Sequence, residues 1–381
     1  MADSDRPRLR GAALVVTSAC NQRCTYCLQD RHPARRMSEH TARQVLDHLL
    51  RSGRRKIAIG FYGGEPLLAF DLLRWTVEEA ERRRPRGSRL LFSLSTNGLL
   101  LDTEKAAFLA AHGVETQVSF DGSPAAQELR APGTFGPLSE RLEELRRLCP
   151  GFYEDLLEIA VIVTPHNLHR LAESVGLLLW RRVPRITLGP VMGASVGWES
   201  SRERELDGQL RLVYRRCRSF YERTGRVPVT LFRRTPGRPL AKERGAMCEI
   251  GLARAITVDV DGEISACPLL ARSYQTFSAP GLRRWVEPLR IGRLDAPDLG
   301  GRLERFRADV RRSPLFMQRE RKRSARRRCA DCRCRASCSI CPVAIAHASD
   351  DPHRVPDFLC AFNRLSLKYR ERFPPQWEHL A

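Results

Sequence analysis

No stretch of the chain approaches the ~18 consecutive apolar residues of a membrane-spanning helix. The opening residues, Met1–Arg10, include Asp3 and Asp5 and lack an apolar core segment, which argues against a secretory signal. A cytoplasmic protein with no membrane partner is therefore expected. There is no internal repeat and no low-complexity linker. Lysine is scarce: Lys56, Lys105, Lys242, Lys322 and Lys368 are the only five among 65 basic residues, and the other 60 are arginine. The net charge is +21, which permits an acidic partner but is weak evidence for one when base composition alone can favour arginine. What the chain does have is 381 residues, enough for two or three domains of about 150. Its 42% hydrophobic and 29% charged residues are those of a folded globular protein. It also has 13 cysteines. Without an export signal these are hard to read as disulfides, and reduced thiols in such numbers point to metal binding or catalysis.

Six short apolar runs alternate with amphipathic stretches in the first half. Ala12–Ser18, Lys56–Tyr62, Leu90–Thr96, Glu115–Phe120, Glu158–Thr164 and Arg185–Val191 read as buried strands. Ser38–Arg51, Asp71–Arg84, Leu138–Leu148 and Asn167–Trp180 read as helices, with Ser38 and Asn167 as N-caps. Such alternation means parallel βαβ units, in an open barrel or a doubly wound sheet. The pattern changes after about Gly193. A longer helix, Ser201–Tyr221, leads to a Pro/Arg/Gly-rich stretch, Arg233–Arg244, where a domain boundary is placed between 235 and 236. Beyond it Ala255–Val260 and Glu263–Cys267 form a hairpin about Asp261-Gly262, read as a type I′ turn. Cys329–Cys360 reads as irregular, and Phe362–Phe373 as a short helix.

Two sets of residues carry the chemistry. The first is Cys20-Asn21-Gln22-Arg23-Cys24-Thr25-Tyr26-Cys27, directly after the first strand. Three thiols at CxxxCxxC spacing fall one short of the four that a [4Fe–4S] cube normally takes, leaving one iron open to another ligand. A zinc knuckle with a borrowed ligand is the alternative. Gly63-Gly64-Glu65-Pro66, Ser95-Thr96-Asn97-Gly98 and Ser119-Phe120-Asp121-Gly122 end the second, third and fourth strands. These are C-terminal strand ends, the functional face of a βα barrel. Two glycines let backbone approach a ligand closely, and their carbonyls can accept from an ammonium group. Each motif alone reads as an ordinary turn; the four in this order do not.

The first set resembles the radical S-adenosylmethionine (radical SAM) superfamily. The resemblance implies a partial (β/α)6 TIM-type barrel with a bridging helix over residues 1–235, and SAM bound at the open iron. Gly63, Gly64 and Glu65 would then contact the methionine moiety and Ser119 the ribose. Asn97 belongs to the same group of contacts. Arg130 would pair with the carboxylate or be an ordinary surface arginine, and Tyr26 would pack near the cluster or adenine. The second set is Cys248, Cys267, then Cys329-x2-Cys332-x5-Cys338-x2-Cys341, and Cys360. It resembles the SPASM domain of peptide and protein maturases, with the last gap of the central run one residue short. Residues 236–381 would then be a small cysteine-rich domain with a β-hairpin, holding two auxiliary [4Fe–4S] clusters and bringing the total to three. Cys329, Cys332, Cys338 and Cys360 would ligate one. Cys248, Cys267 and Cys341 would hold the other, its fourth position either open or filled by a residue such as Cys334. Two structural zinc sites are the alternative. Cys149 and Cys217 read as small buried apolar residues.

The family's chemistry implies that one electron from an external carrier of flavodoxin or ferredoxin type cleaves SAM. The resulting 5′-deoxyadenosyl radical takes hydrogen from a peptide or protein, and the auxiliary clusters accept the remaining electron. A thioether or other cross-link is one such outcome. Sulfatase maturases usually carry Asp after the cysteine that matches Cys267; Pro268 stands here, which argues against that role. About ten residues precede the first strand, so a leader-binding domain is not expected there, and a leader would need a separate leader-binding protein or a direct site on this chain. The basic run Arg319–Arg328 is a candidate site for an acidic leader, against a solvated mobile loop. A radical SAM enzyme acting on a cofactor precursor or RNA, an iron–sulfur electron carrier and a structural zinc protein are the other readings.

Overall fold

The computed structural model describes residues 9–29, 34–192, 198–233, 248, 250, 253–274 and 280–374. The boundary expected at 235/236, most of the Arg233–Arg244 stretch, and the opening residues 1–8 lie outside them.

Six parallel strands form the first half: β1 (Gly11–Thr17), β2 (Lys56–Gly63), β3 (Arg89–Thr96), β4 (Val114–Ser119), β5 (Leu157–Val163) and β6 (Ile186–Pro190). Most of their apolar residues are buried, as parallel sheets covered on both faces require, with Leu91 of β3 an exposed exception. They pair in sequence order, β1 to β6, each strand parallel to the next. Doubly wound sheets reverse direction at a switch point. This one does not, so the strands follow a single winding, and β6 does not pair with β1. The architecture is the expected α/β partial barrel.

The connecting helices are α1 (Glu39–Leu50), α2 (Phe70–Arg82), α3 (Thr103–Ala111), α4 (Pro124–Arg130), α5 (Phe135–Leu148) and α6 (Leu171–Trp180). Ser38 caps α1, its hydroxyl accepting from Thr41 N–H at 3.1 Å. Asn167 does not cap α6. Its side chain accepts from Thr164 N–H at 2.7 Å and donates to the Ile162 carbonyl at 2.8 Å, bracing the end of β5, and a 3₁₀ turn, Leu168–Arg170, intervenes. The bridging helix α7 (Glu203–Thr224) ends at Gly225, whose φ of 68° is the left-handed stop.

The second half does not stand apart. The hairpin β7 (Ala255–Val258) and β8 (Glu263–Ser265) joins the same sheet, β7 pairing parallel with β1, and β9 (Gly292–Arg293) extends it. The turn is not type I′. Gly262 N–H donates to the Asp259 carbonyl at 2.9 Å, Asp259 N–H donates to the Glu263 carbonyl at 2.8 Å, and only Gly262 has positive φ, 84°. This is a three-residue loop: a type I turn closed by one left-handed glycine. The helices that follow are α8 (Pro280–Trp285), α9 (Leu299–Arg312), α10 (Pro342–Ala348) and α11 (Asp357–Arg372). Cys329–Cys360 is thus less irregular than expected, since α10 lies within it. The terminal helix starts five residues before its expected Phe362, which places Cys360 on α11. One apolar core runs through both halves, from Leu14 and Ile59 to Leu303 and Phe358.

α11 is fastened to α7 by polar contacts. Asp207 accepts from Lys368 at 2.7 and 2.9 Å and from the Tyr369 hydroxyl at 2.9 Å. Burial works against the Asp207 carboxylate, but Lys368 and Tyr369 more than offset it and hold its pKa below the usual range. A depressed carboxyl contributes stability above its unfolded pKa, and that stability is lost as pH falls through the folded value. Asp207→Asn is therefore expected to lower stability at pH 7 by about 1 kcal/mol. The gap from wild type should close by about pH 2. Denaturant melts at both pH values check this.

Candidate functional site

The C-terminal ends of β1 to β4 converge on the CxxxCxxC loop. β1 and β2 shift register between Val15 and Thr17, so Thr17 comes opposite Gly63. From there Gly64 N–H donates to the Thr17 carbonyl and Glu65 N–H to the Ala19 carbonyl, both at 2.8 Å. The Gly63-Gly64 turn is therefore stitched to the backbone that leads into Cys20. A side chain at Gly64 has no room: a Cβ would lie 2.1 Å from the Ala19 oxygen.

Glu65 is fully buried. Its carboxylate accepts from Leu67 N–H at 2.9 Å, the Thr96 hydroxyl at 2.6 Å and Asn97 N–H at 2.6 Å. Burial pushes its pKa up while these donors pull it down, and burial prevails. The side chain expected to face the methionine moiety is thus committed to joining the ends of β2 and β3. Asn97 reaches the cysteine loop, donating to Asn21 Oδ1 at 2.7 Å and to Cys20 Sγ at 3.8 Å.

The other side of the loop is held by α4. Thr25 N–H donates to the Arg130 carbonyl at 3.0 Å, and the Thr25 hydroxyl to the Leu129 carbonyl at 2.8 Å. Arg130 is not a surface residue. It is 6% exposed, at the end of α4, and pairs with fully buried Asp121 at 3.0 Å. Asp121 also accepts from the Tyr26 hydroxyl and from Ile162 N–H, each at 3.0 Å. The guanidinium lies over the Tyr26 ring, 5.5 Å from its centroid. Burial opposes the charge on Arg130, but Asp121, Tyr26 and Cys24 hold it protonated. Arg130 Nε is buried with no hydrogen-bond partner among the described residues. Ser119, half-buried at the end of β4, shows no side-chain hydrogen bond among the described residues.

Cys20 and Cys27 are exposed and Cys24 half-buried, all three reduced. Although Cys20 is exposed as a residue, partial desolvation of its thiol raises its pKa, and Glu65, Cys24 and Cys27 raise it further by their proximity. In the second half, the buried thiols of Cys267 and Cys341 are each pushed up to about 11; Cys248 lies near Cys267, and Cys267 near Cys341. Cys329, Cys332, Cys334, Cys338 and Cys360 line one cavity with Arg319. The thiols of the second half thus lie in two groups, Cys248, Cys267 and Cys341 in one and Cys329, Cys332, Cys334, Cys338 and Cys360 in the other. Cys334 lies in the second group's cavity, near Cys332. Among the described residues no three His, Cys, Asp or Glu side chains close in around a single ion. Thiols spaced about a cavity suit a polynuclear cluster, whose bound cations would stabilise the thiolates that burial disfavours. Cys217 is buried, as expected, and Cys149 half-buried.

The basic run is not a mobile loop. Lys322 is 1% exposed, donates to the Pro314 and Pro352 carbonyls at 2.8 Å, and is pushed down to about 8 by burial. Arg319 donates to the Cys338 carbonyl, and Arg323 pairs with Asp351 at 2.9 Å. Asp121, Tyr274 and Asp259 were not singled out by sequence reasoning. Asp121 lay inside a motif already noted; nothing local marked the other two.

A single-wound parallel half-barrel with three thiols at the C-terminal strand ends defines a class of proteins, and comparison with known proteins agrees. Residues 14–177 match the model of the Radical SAM superfamily. It is similar to the serine-type anaerobic sulfatase-maturating enzyme of Klebsiella aerogenes, 30% identical over 127 residues, covering 32% of this chain and 31% of that one. It is also similar to the GTP 3′,8-cyclase of Geobacter sulfurreducens, 35% identical over 157 residues, covering 39% and 43%. The chain spans between about a third and just over half of the curated relatives it matches. The fold resembles the solved structure of native anSMEcpe with bound AdoMet and Kp18Cys peptide, at a TM-score of 0.70 and 16% identity, over 95% of this chain and 97% of that one.

Gly64→Ala meets backbone on every side and is expected to displace the cysteine loop. The reconstituted variant should bind about four fewer irons than wild type. Gly189→Ala, whose nearest neighbour is the Ile162 side chain at 3.9 Å, should match wild type. Iron assay and thermal melts of both check this.

Proposed function

We propose that this chain is a SAM-dependent radical enzyme that abstracts hydrogen from a peptide or protein and leaves it oxidised, for example cross-linked. The observation that carries the reading is the convergence of four strand ends on one three-thiol loop. Cys20, Cys24 and Cys27 would hold a [4Fe–4S] cluster with an open iron, and that cluster with SAM would supply the radical. The backbone of Gly63 and Gly64, packed against the residues that lead into Cys20, would receive the ammonium group. Arg130 Nε offers a buried, unused donor for the carboxylate, and the Ser119 hydroxyl a free one for the ribose. Tyr26, fixed by Asp121, closes the space beside Cys24. Glu65 and Asn97 hold the loop in place.

The second half fits a SPASM-type domain. Cys329, Cys332, Cys338 and Cys360 would ligate one auxiliary [4Fe–4S] cluster. Cys248, Cys267 and Cys341 would hold another with one position open, which makes three clusters in all. A flavodoxin- or ferredoxin-type carrier would supply electrons, a separate protein would present any leader segment, and the setting would be the cytoplasm. The exposed arginines of the run 319–328 remain available to an acidic leader. Reversing the charge of Arg326, Arg327 and Arg328 should weaken leader binding about tenfold at low salt, and unchanged affinity removes that role. The likeness to a GTP cyclase favours a second reading, a small-molecule substrate.

Anaerobically reconstituted protein is expected to carry about twelve irons with brown absorbance. It should release 5′-deoxyadenosine under reduction. Replacing Cys20, Cys24 and Cys27 by Ala should remove about four irons and abolish that release. Stoichiometric zinc without iron rejects the proposal. A mass change in a co-expressed candidate peptide, against turnover of a nucleotide, separates the two substrate readings.

A further inference from the structure

We propose that Tyr274 is a positioning residue that couples the Cys267 thiol region to the Gly63-Gly64 turn. The inference rests on the reading above that this turn receives the methionine end of SAM. Tyr274 stands 211 residues from Gly63, yet its hydroxyl makes two bonds to that one residue. It accepts from Gly63 N–H at 3.1 Å and donates to the Gly63 carbonyl at 2.8 Å. Gly63 has a φ of 157°, at the margin of what side-chain-bearing residues adopt. A residue with so much conformational freedom needs its peptide groups held if its carbonyl is to point one way.

The phenol is itself held firmly. Its ring packs against Val15 of β1, Val260 and Ala271. Behind it Asp259, 1% exposed, accepts from Ser273 N–H at 2.9 Å and from the Ser273 hydroxyl at 2.5 Å. The turn Ala271–Tyr274 closes through Tyr274 N–H to the Ala271 carbonyl at 2.9 Å. At the other end of the same segment, Cys267 lies close enough to Tyr62 to act on its phenol. Consecutive turns, Leu270 N–H to the Cys267 carbonyl at 2.9 Å, Ala271 N–H to the Pro268 carbonyl at 3.0 Å and Tyr274 N–H to the Ala271 carbonyl, tie Cys267 to the tyrosine whose hydroxyl holds Gly63. The turn is gripped from β1 through Thr17 and Ala19, and from the second half through Tyr274. The second grip joins the turn to the segment that carries Cys267.

Removing the hydroxyl frees the Gly63 peptide, and the fraction of molecules with the turn in its binding form falls. Apparent affinity falls by the same fraction. By linkage, a cofactor on the turn and a ligand at Cys267 then act on each other's binding.

The test uses reconstituted full-length wild type and Tyr274→Phe. Amide hydrogen exchange at Gly63 and Gly64 is measured without SAM, and SAM binding by anaerobic calorimetry. In Tyr274→Phe, exchange at Gly63 should rise about tenfold and SAM Kd should weaken about tenfold, with iron content unchanged. Ser273→Ala, which keeps the phenol, should move both in the same direction by less, and it serves if Tyr274→Phe does not fold. Unchanged exchange overturns the proposal. Raised exchange with affinity within about twofold of wild type also overturns it, because the contact is then merely structural. Failure of wild type to bind SAM defeats the cofactor reading beneath it, and is distinguished because it appears before any substitution.

Discussion

Strand β1 is hydrogen-bonded on both sides by parallel partners, β2 and β7, and everything else is arranged around that fact. A strand at the edge of an open half-barrel would present unpaired backbone groups. Here the second half supplies the missing neighbour, 238 residues or more further along, with Gly11 opposite Ala255 and Leu14 opposite Val258. The same strand runs straight into the cysteine loop. Its one register shift brings Thr17 opposite Gly63, and the turn bonds to the loop follow from it. Thus the sheet's continuity, the cysteine loop and the glycine turn share one backbone.

Carboxylates do the remaining organisation. Glu65 joins β2 to β3, Asp121 joins β4, β5, α4 and Tyr26, and Asp259 holds the segment that ends in Tyr274. Each is buried, and each is surrounded by donors. Buried charges of this kind are costly unless fully partnered. The partners of Glu65 and Asp121 come from different strand ends, so each of these two carboxylates is satisfied only when those ends are in place. Rigidity at the C-terminal rim follows from this mutual dependence.

Much of this was legible in the order of residues. The six strands lie within a few residues of where apolar runs placed them, because parallel strands buried on both faces leave continuous signals. Ser38 announced its helix. α3 was missed because Thr103–Ala111 is rich in alanine and only weakly two-faced, although Asp102 caps it by accepting from Lys105 N–H at 2.8 Å. α9 was missed among charged residues, where the apolar stripe Leu299, Leu303, Phe306 and Val310 is thin. The thiol groups could be divided from spacing and resemblance. Arg130 could not be placed: an arginine reads as exposed unless its carboxylate partner is known to be inside. Tyr274 and the β1–β7 pairing were invisible because they depend on contacts across more than two hundred residues.

The unequal depth of the thiols has one more consequence. Cys20 and Cys27 are exposed to solvent, while Cys267 and Cys341 are half-buried, with thiols that desolvation pushes up to about 11. Small oxidants act on thiols according to access and thiolate character. Air damage should then begin at the barrel rim, so the CxxxCxxC loop is expected to oxidise while the thiols of the second half are still reduced and the fold intact.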